Sequence, residues 1–325
     1  MPCYRPLPGI DTGAIRVDTG KRIIKILPRE AWLSYNPKTD QVKENAFLRL
    51  PCGQCIGCRL ERSRQWAVRC VHESTLYKKN CFITLTYNNE NLPAGGSLIK
   101  SDFQKFMKRL RKRFSADSTS RIRYYMCGEY GEKFQRPHYH ALLFNFDLPD
   151  REYWRRSGAG EKLYVSQILN EVWGHGFTSV GEATFESAAY VARYICKKIS
   201  GPLALDHYNM IDKETGEILS ERIPEYNCMS RRPGIALGWL EKNVGDVYPG
   251  DFVLMKRGEV YKKCKPPKYY DSKYEIFSPD EHALIKEARK SKSKQHAENN
   301  TFSRLAIREE VQTIKANTLI RSYEK

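Results

Sequence analysis

A chain of 325 residues with 41% hydrophobic content and 20 tyrosines carries enough apolar material for one full core and a smaller module, which excludes a disordered protein. Its 55 Lys and Arg against 38 Asp and Glu leave a formal charge of +17, and this favours a polyanionic partner because each neutralised phosphate releases counterions. No apolar run is long enough to cross a bilayer, and Met1 to Ile15 lack a signal-peptide core, so the expected location is cytoplasmic, with no membrane partner.

Composition divides the chain into a Cys-rich basic segment (1–75), a mixed helix and strand domain (76–200), a turn-rich module (201–270) and a charged tail (271–325). The first fifty residues mix strand-like and turn-like pieces, broken at Asn36-Pro37 and Pro51. Cys52, Cys55 and Cys58 follow at even spacing and run into a basic helical stretch through Arg59, Arg62, Arg64 and Arg69. In a reducing compartment, grouped cysteines more often bind metal than form disulfides. Structural Zn²⁺ needs a fourth ligand, for which Cys3, Cys70 and His72 are candidates, Cys3 first. The same spacing also suits an iron–sulfur segment with a further thiolate, or small buried residues in a turn around Gly53 and Gly57.

Cys81 to Tyr87 is β-branched and aromatic and is bounded by Asn88-Asn89, which predicts a strand. Ser101 or Asp102 can cap a helix in which Phe103, Phe106, Met107, Leu110 and Phe114 share one face. Lys105, Lys108, Arg109, Lys112 and Arg113 give that helix a basic outer face. Strands over Arg121 to Tyr130 and His138 to Phe146 follow, then a helix near Gln167 to Trp173, a strand near Thr178 to Ala183 and a helix from Ser187 to Ile199. Without regular βα alternation, this order predicts an α+β fold, an antiparallel sheet with packed helices.

Two stretches carry the chemistry. On a strand His138 and His140 project from one face, and two imidazoles side by side in an apolar strand are costly unless a cation occupies them. Glu129, one hairpin arm upstream, completes a set of two imidazoles and a carboxylate that suits Mg²⁺ or Mn²⁺. Alone, the pair better suits two surface histidines on an edge strand. In the second stretch helical spacing places Tyr190 and Tyr194 on one face, with Lys197 and Lys198 a turn further on. A phenol beside a cation and a lysine can attack phosphorus, although tyrosines at this spacing are more often core residues.

The order of Phe82 to Tyr87, the histidine pair and the tyrosine helix resembles the three motifs of HUH endonucleases, whose palm is RRM-like. Tyr-Val-Ala-Arg-Tyr-x-x-Lys-Lys from Tyr190, together with Pro51 to Arg59 and Met1-Pro2-Cys3-Tyr4, resembles the replication initiation proteins of microviruses, in their gokushovirus-like branch. The resemblance implies that 76–200 is the endonuclease domain, preceded by the Cys-rich segment and followed by a C-terminal extension. It implies that Glu129, His138 and His140 hold a divalent metal, that Tyr190 and Tyr194 are nucleophiles forming a 5′-phosphotyrosine, and that Lys197 or Lys198 steadies the phosphate or the tyrosine. The implied reaction is nicking and rejoining of a single-stranded DNA origin in rolling-circle replication, in the cytoplasm of a bacterial host. No phosphate-binding loop of a helicase is present, so a host helicase and polymerase are the expected partners. The alternatives are a non-catalytic single-stranded nucleic-acid binder and a related relaxase or transposase.

Overall fold

The computed structural model describes residues 3–18, 20–32, 47–114, 121–131, 134–158, 160–193, 203–212, 214–257 and 260–317. They fall into two compact units, one built from Met1–Glu61 and Lys292–Leu319, the other from Arg62–Ser291.

In the first unit β1 (Leu7–Ile15) lies between β2 (Arg22–Ile26) and β3 (Phe47–Leu50), antiparallel to both. Strand β2 is largely exposed. The unit's apolar cluster is small: Tyr4, Cys55 and Leu305, with Cys3, Cys52, Ile56 and Cys58 packed against them. Leu305 comes from the helix Phe302–Asn317, so the charged tail supplies part of this cluster.

The second unit is built on a seven-stranded sheet. Helix α1 (Ile56–Ser74) leads into the central strand β4 (Asn80–Tyr87), and α2 (Lys100–Phe114) precedes the hairpin β5 (Arg123–Tyr130) and β6 (Pro137–Phe144). A second hairpin, β7 (Glu152–Arg156) and β8 (Lys162–Val165), is followed by α3 (Gln167–Trp173), β9 (Gly176–Glu182) and α4 (Phe185–Arg193). Helix α5 (Leu203–Tyr208), the hairpin β10 (Asn209–Ile211) and β11 (Ile218–Glu221), β12 (Tyr226–Met229) and α6 (Leu237–Val247) come next. The hairpin β13 (Val253–Arg257) and β14 (Val260–Cys264), then α7 (Lys268–Phe277) and α8 (Pro279–Lys294), complete the order. The main sheet runs β12-β5-β6-β4-β9-β8-β7, antiparallel throughout. The α+β expectation is met.

Period-two alternation sorts the two faces. Cys81, Ile83, Leu85 and Tyr87 of β4 join Met126, Tyr139, Ala141 and Leu143 in one core, which α2 closes with Phe103, Phe106, Met107 and Leu110. The apolar stripe of α2 is buried as its period predicts, and Lys105, Lys108 and Lys112 stay exposed. The helix starts at Lys100, so Asp102 lies in its first turn, where it accepts from the Tyr87 hydroxyl at 2.9 Å. Helix α3 has the expected ends: Ser166 Oγ accepts from the Leu169 amide, and Gly174 closes the helix at φ 68°.

The opposite face buries Phe82, Tyr125, Cys127, Leu142 and Phe144 against α1, α4, α6 and α7. Two buried polar contacts share it, because Arg123 and Glu129 have the same parity on β5. Strand β12 adds to the edge beside β5, pairing Tyr226 with Gly128 and Met229 with Tyr125.

Candidate active site

The antiparallel register puts Glu129 opposite His138, Thr86 opposite His138 and Thr84 opposite His140. Three neighbouring strands thus bring a carboxylate, two imidazoles and two hydroxyls onto one face. His140 is fully buried and Glu129 nearly so, and His140 Nε2 hydrogen-bonds Glu129 Oε1 at 2.7 Å. Each imidazole is held from its other side: Nδ1 of His140 lies 2.9 Å from Thr84 Oγ1, and Nδ1 of His138 lies 2.9 Å from Thr86 Oγ1. A threonine hydroxyl both donates and accepts, so it can fix the ring whether or not Nδ1 carries the proton. Such anchoring of Nδ1 is how metal-binding histidines are oriented. The rings of His138 and His140 are 6.2 Å apart.

Tyr190, on α4, covers the inner end of this set. Its ring meets His140 edge-on at 5.3 Å and Phe82 edge-on at 6.1 Å, and only 4% of the residue is exposed. Phe82 stacks near-parallel to His140 at 5.8 Å. Tyr194, Lys197 and Lys198 lie outside the described residues.

Away from α4 the same face opens. A cleft of about 180 Å³ is floored by Thr84, Thr86, Ser179 and His138 and walled by Trp154, Arg155 and Phe177. A second hollow shares Thr86 and Phe177 with it and continues past Asn89, Phe134 and Arg136. Phe134, Phe177 and Trp154 are each at least half exposed, and Arg155 lies over the Trp154 ring at 4.5 Å. Exposed aromatics beside arginines, along a trough that His138 helps to floor, fit a flexible polyanion with planar groups.

Two close approaches shape the rim. A Cβ at Gly131 would lie 2.8 Å from His138 Nε2, and one at Gly176 only 2.3 Å from the Asn88 backbone nitrogen. Only glycine fits either place without displacement.

Sequence reasoning reached Glu129, His138, His140 and Tyr190, and these converge. It missed Thr84 and Thr86, although they alternate with apolar residues in Phe82 to Tyr87. The β7–β8 wall was also missed, despite its hairpin pattern of Tyr153-Trp154-Arg155-Arg156, a Gly-containing turn and Leu163-Tyr164-Val165.

A family model described as replication-associated protein ORF2/G2P matches residues 80–199, from the start of β4 through α4. The replication-associated protein VP4 of Bdellovibrio phage phiMH2K is 34% identical over 260 residues, covering 79% of this chain and 77% of that protein. The chain belongs to the family of phage replication-associated proteins. A second member, the replication-associated protein ORF2 of Spiroplasma virus 4, is 36% identical over 252 residues, 75% of this chain and 74% of its own. The family also includes the replication-associated protein ORF4 of Chlamydia phage 1, 35% identical over 163 residues. No solved structure matches the chain. Among the described residues of this family member, no helix is long and apolar enough to cross a membrane.

Proposed function

We propose that this replication-associated protein starts rolling-circle replication by cutting and rejoining single-stranded DNA at an origin, as a metal-dependent tyrosine endonuclease. The observation that carries the reading is the convergence of Glu129, His138 and His140 on one sheet face with Tyr190 against His140. By donor type, two imidazoles and a carboxylate with both rings oriented by threonines suit a divalent ion such as Mg²⁺ or Mn²⁺, which would replace the hydrogen bond that now joins Glu129 and His140. Bound there, the ion would polarise the scissile phosphate.

The protein's own groups do the rest. Thr84 and Thr86 hold the imidazoles in place, while Trp154 and Phe177 stack bases and Arg155 meets the backbone. A tyrosine oxygen, of Tyr190 or Tyr194, attacks phosphorus. The new O–P bond forms as the P–O3′ bond breaks, the phenol loses its proton and the departing 3′ oxygen takes one up. The 5′-phosphotyrosine keeps the phosphodiester's energy, so rejoining needs no nucleotide, and the free 3′-hydroxyl primes synthesis by host enzymes. Lys197 or Lys198 would steady the phosphate or the tyrosine.

Labelled circular single-stranded DNA incubated with Mn²⁺ should give a covalent protein–DNA band on a denaturing gel. Tyr190→Phe and Tyr194→Phe should each keep some adduct formation on a short oligonucleotide, and the double variant should form none. Trp154→Ala should weaken binding by about 1–3 kcal/mol while leaving the adduct chemistry in place. An undiminished adduct in the double variant would remove both tyrosines from the mechanism, and binding without any adduct in the wild type would make the protein a non-catalytic binder.

A further inference from the structure

Four thiols of the first unit take no part in that reaction. Cys3 precedes β1, Cys52 and Cys55 lie between β3 and α1, and Cys58 is in the first turn of α1. Their Sγ atoms all lie within 4.8 Å of one another, with Cys3 Sγ 3.8 Å from Cys55 Sγ. A tetrahedron of sulfurs around zinc, with Zn–S of about 2.3 Å, has edges of about 3.8 Å. Backbone amides point at three of the sulfurs: Tyr4 N to Cys55, Cys52 N to Cys3 and Cys55 N to Cys52, each at 3.3 Å. Amide donors favour thiolate over thiol, the form that ligates. Gly53, at φ 74°, lets the chain turn between Cys52 and Cys55.

We propose that Cys3, Cys52, Cys55 and Cys58 hold one structural zinc ion. The rival fourth ligands are committed elsewhere, for Cys70 is packed in the apolar cluster of the second unit. His72 hydrogen-bonds the Tyr270 hydroxyl at 2.8 Å and stacks on Trp239 at 3.5 Å. A cuboidal iron–sulfur cluster would hold its cysteines at the outer corners, too far apart for sulfurs gathered within 4.8 Å. Four thiolates leave no open position, which is the pattern of a structural rather than a catalytic zinc.

The site joins the residue preceding β1, the loop after β3 and the start of α1. Among the described residues the surrounding cluster offers little else, since only Tyr4, Cys55 and Leu305 form its buried centre. Units with so small a core depend on staples, and a structural metal's binding energy is folding energy. The inference is independent of the nuclease reading, because it concerns other residues and its readout is metal content.

The test uses the full chain, purified under reducing conditions and analysed for metals. We expect close to one zinc per chain, X-ray absorption showing four sulfurs at about 2.3 Å, and a lower melting temperature after chelation. Replacement by Co²⁺ should give the charge-transfer and strong visible bands of a tetrahedral tetrathiolate. Cys3→Ala should lose the zinc on dialysis against chelator. Cys3→His should keep it with a three-sulfur, one-nitrogen signature, and Cys70→Ala should keep the four-sulfur one. Iron with acid-labile sulfide, zinc far below one per chain with all four thiols freely reactive, or an unchanged four-sulfur signature in Cys3→Ala would overturn the proposal. Should Cys3→Ala prove insoluble, the wild-type absorption spectrum and Cys3→His decide.

Discussion

On the inner face of β5, Arg123 at one end donates to Glu73, and Glu129 at the other end hydrogen-bonds His140. Both contacts pair a buried carboxylate with a nitrogen base. The first is closed by backbone groups: Arg123 also donates to the Pro233 carbonyl, and the Ala236 amide donates to Glu73. The second borders an open trough, with His138 half-buried beside it. These contacts make a clamp between β5, α1 and the chain entering α6. Glu129 and His140 are as deeply buried as the first pair, and it is His138, opposite Glu129, that opens this set onto the trough. Both pairs are buried; the difference lies in the neighbour, which is a backbone carbonyl and amide for the first and a trough-lining imidazole for the second.

Four measurements would break or sharpen that contrast. The largest effect is expected at the closed pair. Glu73→Ala strands a buried guanidinium and should cost about 3–5 kcal/mol of stability in denaturant unfolding, and a loss under 1 kcal/mol would mean that the clamp is not the closed contact described here. At the open pair, His140→Ala or His138→Ala should lower cleavage by more than about 100-fold, since losing an orienting partner alone costs 10–100-fold. Salt-sensitive DNA binding should persist, because phosphate contacts to Lys and Arg are untouched. Equal nicking by wild type and both variants in chelator would dismiss the assignment.

Gly131→Ala tests the open pair without removing a ligand. The added Cβ pushes on His138 Nε2, so cleavage should drop about 10-fold with the melting temperature nearly unchanged. Cleavage at the wild-type rate would show that His138 has room to move. The fourth measurement concerns His72 in the closed region, where burial holds the imidazole neutral, its pKa pushed down to about 3. Between the unfolded value near 6.5 and that level, the unfolded chain takes up a proton that the folded chain refuses. This contribution is intact above about pH 6.5, and acidification through the window should weaken folding by up to about 1.4 kcal/mol per pH unit. His72→Gln should flatten that slope, and an identical pH dependence in the variant would assign the slope to other groups.

The sequence by itself determined the parts of the site that neighbouring segments make. Residues two apart on a strand share a face, so His138 and His140 were legible as a pair, and a hairpin turn returns Glu129 beside them. The periods of β4, α2 and α3 were legible for the same reason: a repeat of two or 3.6 is written in consecutive residues. The position of Tyr190 over His140, by contrast, needed α4 to pack across β5 and β6. Only the tertiary structure decided that β12, about a hundred residues after β5, closes the sheet edge, and that β7 and β8 wall the trough. It also decided that Cys3 rather than Cys70 or His72 joins the three later thiols, and that Glu73 meets Arg123. Each of these pairings joins residues far apart in the chain. They are selected by burial, shape and the need to satisfy polar groups after collapse, and none of that is written in a local repeat.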